Sequence, residues 1–180
     1  GGEESYGFLA QDFVRDKDSV SAISLMAEIA AWAKEKGMNM AEMVQNIYMT
    51  YGFSREKGIS LVRKGKTGAE EIIEIMKQFR SNPPKEIAGS TVVKIKDYLS
   101  LEEKDITTGN VTKLDMPATS NVLQFFTSDG TKVSVRPSGT EPKIKFYIEV
   151  HDKLESAEQY QAVQDRADAK IEQIQKDLGI

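Results

Sequence analysis

The spacing of apolar residues changes character at Pro83-Pro84, and that change constrains the fold more than any other feature of the chain. Ahead of the prolines, apolar positions recur mainly at intervals of three and four; beyond them they alternate. Val20, Ile23, Met26, Ala30 and Ala33 make one helical stripe, capped by Asp18 or Ser19 and closed by Gly37. Asn39 with Glu42 reads as a capping box for a second helix carrying Met43, Val44, Ile47 and Tyr51, which Gly52 stops. Ile59-Ser60-Leu61-Val62 reads as a strand. Thr67-Gly68-Ala69-Glu70 reads as another capping box, opening a helix with Ile72, Ile73, Met76 and Phe79 on one face. The prolines end that helix, because proline lacks an N–H and its ring pushes the preceding residue out of the helical region.

Beyond the break, Thr91 to Ile95 is β-branched, and Val122 to Phe126 and Lys132 to Arg136 flank Asp129-Gly130, a hairpin turn that needs positive φ. Ile144, Phe146, Ile148 and Val150 alternate with Lys145, Tyr147 and Glu149, the pattern of a half-buried antiparallel strand. A last helix, from about Leu154 to Leu178, carries Leu154, Ala157, Val163, Ala167, Ile171, Ile174 and Leu178 on a stripe that is expected to lie across the sheet. Asp97 to Asn121 is polar and without period, and reads as a surface excursion or a functional loop.

A chain of 180 residues, 39% hydrophobic and 29% charged, buries roughly 70% of its unfolded surface. Its net charge of −4 argues against a cationic nucleic-acid arm, and no apolar run reaches the ~20 residues that span a bilayer. With no cysteine, neither disulfides nor thiolate metal sites hold the fold. The expectation is a cytoplasmic protein without nucleic-acid or membrane partners. The opening Gly1-Gly2-Glu3-Glu4, with no initiator methionine and inside what reads as a functional loop, suggests a piece of something longer.

Arg136-Pro137-Ser138-Gly139-Thr140-Glu141-Pro142-Lys143 joins two strands and carries the sharpest chemical signal. Phosphate recognition calls for a two-pronged planar cation, hydroxyl donors and backbone N–H groups that can come close; Arg136, Ser138, Thr140 and Gly139 supply them. Lys143 and Lys145 add positive charge beside the loop. A tight surface turn uses the same residue types. A second constellation, Gly1 to Gly7, offers Glu3 and Ser5, and carboxylates accept hydrogen bonds from adjacent sugar hydroxyls; a solvated terminus has the same composition. Arg15 to Asp18 reads as a helix start with acid at the positive end of the dipole, His151 as a strand-end residue. No metal-ligand spacing is present.

Gly-Glu-Glu-Ser near Lys-Asp, followed at long range by Arg-Pro-Ser-Gly-Thr-Glu-Pro-Lys, resembles the C-terminal part of the α-D-phosphohexomutases, in their phosphoglucomutase/phosphomannomutase branch. The resemblance implies an α+β protein. Residues 1–53 would be the C-terminal remnant of the third, sugar-binding α/β domain, and 54–180 the fourth, an antiparallel sheet covered by helices like that of TATA-box-binding proteins. It implies that Arg136, Pro137, Ser138, Gly139 and Thr140 hold the substrate phosphate that is not being transferred, with Lys145, or alternatively Lys143, assisting. Glu3, Ser5 and Lys17 would meet the sugar in the cleft. Such mutases interconvert hexose 1-phosphate and hexose 6-phosphate through a bisphosphate, using a phosphoserine loop and a magnesium-binding Asp-Gly-Asp-Gly-Asp loop. This chain has neither, so Mg2+ and hexose bisphosphate are expected for the full-length enzyme, and no catalytic residue, cofactor or turnover for this piece alone. The expected partners are sugar phosphate, the N-terminal domains of the same parent, and a second copy. Glucose and mannose phosphates both fit. A phosphate-binding or assembly module without chemistry is the alternative reading.

Overall fold

The first helix, α1 (Ser19–Glu35), begins where the Asp18 carboxylate accepts hydrogen bonds from the N–H groups of Val20 (3.1 Å) and Ser21 (3.0 Å). The second, α2 (Met40–Tyr51), opens on a reciprocal capping box, with Glu42 N–H donating to Asn39 and Asn39 N–H to Glu42, and closes at Gly52, whose φ is +98°. This computed structural model describes every residue except 3–6, 14, 15 and 64 and the side chain of Lys66. Its residues group into two units, Gly1–Gly52 with Leu154–Tyr160, and Phe53–Lys153 with Gln161–Ile180.

In the first unit, strand pairing among the described residues is confined to one isolated bridge, Gly2 to Phe8. The returning segment contributes a 3-10 turn at Ala157–Gln159 and the Tyr160 ring, stacked on Tyr48 with centroids 6.3 Å apart. The apolar stripe along α1 is largely solvated: Val20 and Ile23 are each 70% exposed and Met26 54%, while Ala33 is buried. Spacing of three and four aligns residues on one face, but it does not supply the surface that covers them.

The second unit is built on one antiparallel sheet. Its strands are β1 (Phe53–Val62), β2 (Glu86–Ile87), β3 (Ser90–Asp97), β4 (Glu102–Asp105), β5 (Val111–Lys113), β6 (Leu123–Thr127), β7 (Lys132–Pro137) and β8 (Lys143–Asp152). They lie in the order β1-β8-β7-β6-β3-β4-β5, with β2 paired to β3. Two helices, α3 (Gly65–Ser81) and α4 (Tyr160–Leu178), belong to the apolar face. The Phe79 ring of α3 packs on Phe125 and Phe146, with centroids 5.8 and 6.0 Å away, and Val163, Ala167, Ile171 and Ile174 of α4 are buried. Along β8, Ile144, Phe146, Ile148 and Val150 are buried, whereas the alternate residues are only partly so. Strand periodicity sends that second set to the opposite, polar face. There Tyr98 donates to Gln124 (2.9 Å) and Gln124 to Ser134 (3.0 Å).

The β6–β7 turn is the expected one, with Gly130 at φ +85°. Asp129 ties it down, accepting from the Thr127 hydroxyl (2.6 Å), the Thr131 N–H (3.2 Å) and Lys170 of α4 (2.5 Å). Burial raises the Asp129 pKa, but the hydrogen bonds from Lys170 and Thr127 outweigh it and hold the carboxyl well below the usual range.

Four sequence expectations need correction. The strand expected at Ile59–Val62 starts at Phe53, and all ten of its residues pair with β8. Thr67 does not cap α3, because Gly65, at φ +78°, turns the chain out of the strand and the helix starts there. The last helix starts at Tyr160, after the 3-10 turn, instead of near Leu154. Asp97 to Asn121 is not patternless in space: β4 and β5 form a hairpin that extends the sheet beyond β3. Their side chains are intermediate or exposed, so no buried face imposes alternation on the sequence. Its turn is held by Asp105, which accepts from the Thr107 hydroxyl (2.5 Å) and the N–H groups of Thr107 (2.8 Å) and Thr108 (3.0 Å). Those bonds, the Thr107 hydroxyl first, lower its pKa to about 2.

Candidate functional site

Antiparallel register brings the basic residues of the β7–β8 connection together. Arg136 pairs with Lys145 and Pro137 with Ile144, so Arg136 and Lys145 stand side by side on the polar face of the sheet. Ser60 of β1 is the next residue in that row, opposite Lys145. The connection is pinched shut by the Ser138 N–H, which donates to the Lys143 carbonyl at 2.8 Å. Inside it the Ser138 hydroxyl accepts long hydrogen bonds from the N–H groups of Thr140 (3.4 Å) and Glu141 (3.3 Å), which folds the loop around the serine. That hydroxyl still has its own proton to donate.

The result is a cavity of about 350 Å³ lined by Arg136, Pro137, Ser138, Gly139, Thr140, Lys143 and Lys145. Among the described residues, the Arg136 guanidinium, the Gly139 N–H and the Thr140 hydroxyl make no hydrogen bond or ion pair within the protein. Lys143 is engaged: its ammonium pairs with Glu141. That hydrogen bond, with the positive charge of Lys143 and then of Lys145, lowers the Glu141 pKa. Lys145 stands 5.8 Å from the centre of the Tyr147 ring. A fork-shaped cation, a lysine, a hydroxyl pair and a main-chain N–H around one small cavity suit a tetrahedral oxyanion far better than an apolar or cationic ligand.

The five loop residues Arg136 to Thr140, Lys145 and the alternative Lys143 all line this cavity. Lys17 lies in the first unit, where its ammonium is 3.7 Å from Asp16. Glu3 and Ser5 fall outside the described residues. Among the described residues no three histidine or carboxylate groups converge on a metal-sized site. The sequence reading missed the pairing of Glu141 with Lys143. A Glu two residues before a Lys in a tight turn was the available signal, but spacing alone does not say which lysine a carboxylate takes.

Residues 83–167 match the family described as phosphoglucomutase/phosphomannomutase, C-terminal domain, and residues 1–51 match the same family's alpha/beta/alpha domain III. A phosphoglucomutase of Staphylococcus aureus (strain MRSA252) is 41% identical over 146 residues, covering 81% of this chain and 26% of the relative. A phosphoglucomutase of Staphylococcus saprophyticus is 37% identical over 162 residues, 89% of this chain and 29% of the relative. The chain thus spans between a quarter and a third of the length of these curated relatives. The crystal structure of the Paramecium exocytosis-sensitive phosphoprotein pp63/parafusin in its open form superimposes with a TM-score of 0.50 at 21% identity, over 86% of this chain and 25% of that one, a likeness of fold.

Proposed function

The chain belongs to the phosphoglucomutase/phosphomannomutase family, of which it carries the C-terminal domain and a stretch of domain III, and on that premise we propose that its loop Arg136–Thr140 anchors a sugar phosphate. The single observation behind this is the set of uncommitted donors at the cavity: Arg136, Gly139 N–H and Thr140, beside Lys145. The longer protein would interconvert hexose 1-phosphate and hexose 6-phosphate, with magnesium and hexose bisphosphate as its cofactors. This chain would hold the phosphate that stays in place while the other is transferred. Because the transition state of phosphoryl transfer is loose, positioning and charge supply most of the catalysis, and a fixed anchor serves both. Glu3, Ser5 and Lys17 would then meet the sugar hydroxyls, and residues 1–53 and 54–180 would be the parts of the third and fourth domains. Lys145, the strand partner of Arg136, is the assisting cation, with Lys143 the alternative.

Inorganic phosphate titrated against the loop amide resonances tests the reading. Arg136→Ala deletes a charge-assisted contact of about 1.5–3 kcal/mol and is expected to weaken affinity about 10- to 100-fold. Arg136→Lys recovers part of it, lacking the fork. Unchanged affinity in the alanine variant refutes the assignment. With glucose 1-phosphate, hexose bisphosphate and magnesium, the chain alone is expected to show no conversion.

A further inference from the structure

The anion loop hangs from two posts, each beside a proline. At the first, Ser138 N–H donates to the Lys143 carbonyl. At the second, the β1–β8 ladder runs one step past its last strand pair, Val62 with Lys143, and the Arg63 N–H donates to the Pro142 carbonyl at 2.8 Å. Pro142 has no N–H to return, so among the described residues its main chain is tied to β1 through the Arg63 N–H alone.

Arg63 is itself seated on α3. Its Nε lies 3.2 Å from the Glu71 carboxylate. Its main chain presses on Gly68 in the first turns of the helix: a Cβ at Gly68 would come 2.8 Å from the Arg63 Cβ and nearer still to its carbonyl. Gly68 has no positive φ to explain it, and glycine is disfavoured inside a helix, so this close approach is what the glycine serves.

We propose that Gly68 and Arg63 are positioning residues for the anion loop. The seat on Gly68 fixes where the Arg63 N–H stands, and that bond fixes Pro142 and with it the donors of Gly139 and Thr140. The inference rests on the reading of the loop as a phosphate anchor. Coupling of this kind is reciprocal: if the bond positions the loop, bound phosphate must in turn protect the bond.

The test titrates inorganic phosphate into the wild-type chain, Gly68→Ala and Arg136→Ala, and measures hydrogen exchange of the wild-type Arg63 amide with and without saturating phosphate. Gly68→Ala is expected to bind about 5- to 20-fold more weakly at a temperature where circular dichroism shows it folded. Its Ser138 to Thr140 amide resonances should be displaced before any phosphate is added, which a mere loss of stability would not cause. The wild-type Arg63 amide should exchange several-fold more slowly in saturating phosphate. Unchanged affinity in folded Gly68→Ala overturns the proposal, and if that variant does not fold, unchanged Arg63 exchange does so alone. Loss of binding in Arg136→Ala with Gly68→Ala unaffected removes only the positioning role, whereas a wild-type chain that binds no phosphate removes the anchor and the positioning role together.

Discussion

A Cβ at Gly139 would meet nothing within 4 Å, and its φ lies outside the left-handed region. Neither turn geometry nor packing among the described residues therefore requires glycine there, in contrast to Gly68, and the proposed phosphate anchor would use its bare main chain for close approach of the ligand. Gly139→Ala is expected to leave stability unchanged or raise it by about 0.4–1 kcal/mol, while phosphate affinity falls; thermal melts and the same amide titration separate the two effects. Asp129 gives a prediction in pH. Its carboxyl titrates lower in the native state than its ordinary value near 3.8, so the native state binds fewer protons than the unfolded one. Its contribution is present above that ordinary value and is lost as pH falls through the native pKa. Urea midpoints should accordingly separate wild type from Asp129→Asn at pH 7 and converge towards pH 2. The residues of the loop are legible in the sequence because they are contiguous and their chemistry is local. Which lysine Glu141 pairs with is not, because it depends on where its side chain points.

Helix α4 stabilises the sheet through one stripe, and its burial predicts the cost of trimming it. Ile171 and Ile174 are 1% and 0% exposed, so Ile171→Ala or Ile174→Ala is expected to cost about 2–5 kcal/mol, measured as a shift in chemical denaturation. The β4–β5 hairpin behaves oppositely. β3 pairs directly with β6, from Val92 with Thr127 to Asp97 with Leu123, and the three residues of β5 are exposed. Replacing residues 100–118 by a short turn should leave the remaining sheet folded and phosphate affinity within about twofold, since additivity holds for sites that share no partners; loss of the Ile148 and Val150 core resonances would show otherwise. The helices and the buried strands are readable because each has one covered face that imposes a period. This hairpin is not, because neither face is covered and its signal is reduced to the turn residues Asp105 to Gly109.

At the scale of the whole molecule, buried apolar side chains belong overwhelmingly to the second unit, where β8 alone contributes Ile144, Phe146, Ile148 and Val150. In α1 and α2, Ala33 is the one buried residue among those described. Amides of α1 and α2 are therefore expected to exchange with solvent orders of magnitude faster than those of β8 and α4, a difference readable by native-state hydrogen exchange; equal protection would mean that the first unit unfolds only with the second. The sequence by itself determined the cap at Asn39, narrowed that of the first helix to Asp18 or Ser19, and determined the stop at Gly52, the Asp129-Gly130 turn, the alternation of β8 and the composition of the β7–β8 loop, because each depends on residues within a few positions of one another. The tertiary structure alone decided the rest. It set the register that puts Arg136 beside Lys145, the reach of β1 back to Phe53, the solvation of the α1 stripe and the seat of Arg63 on Gly68. These join segments far apart in the chain, and a period of three or of two records which residues share a face without recording what that face meets.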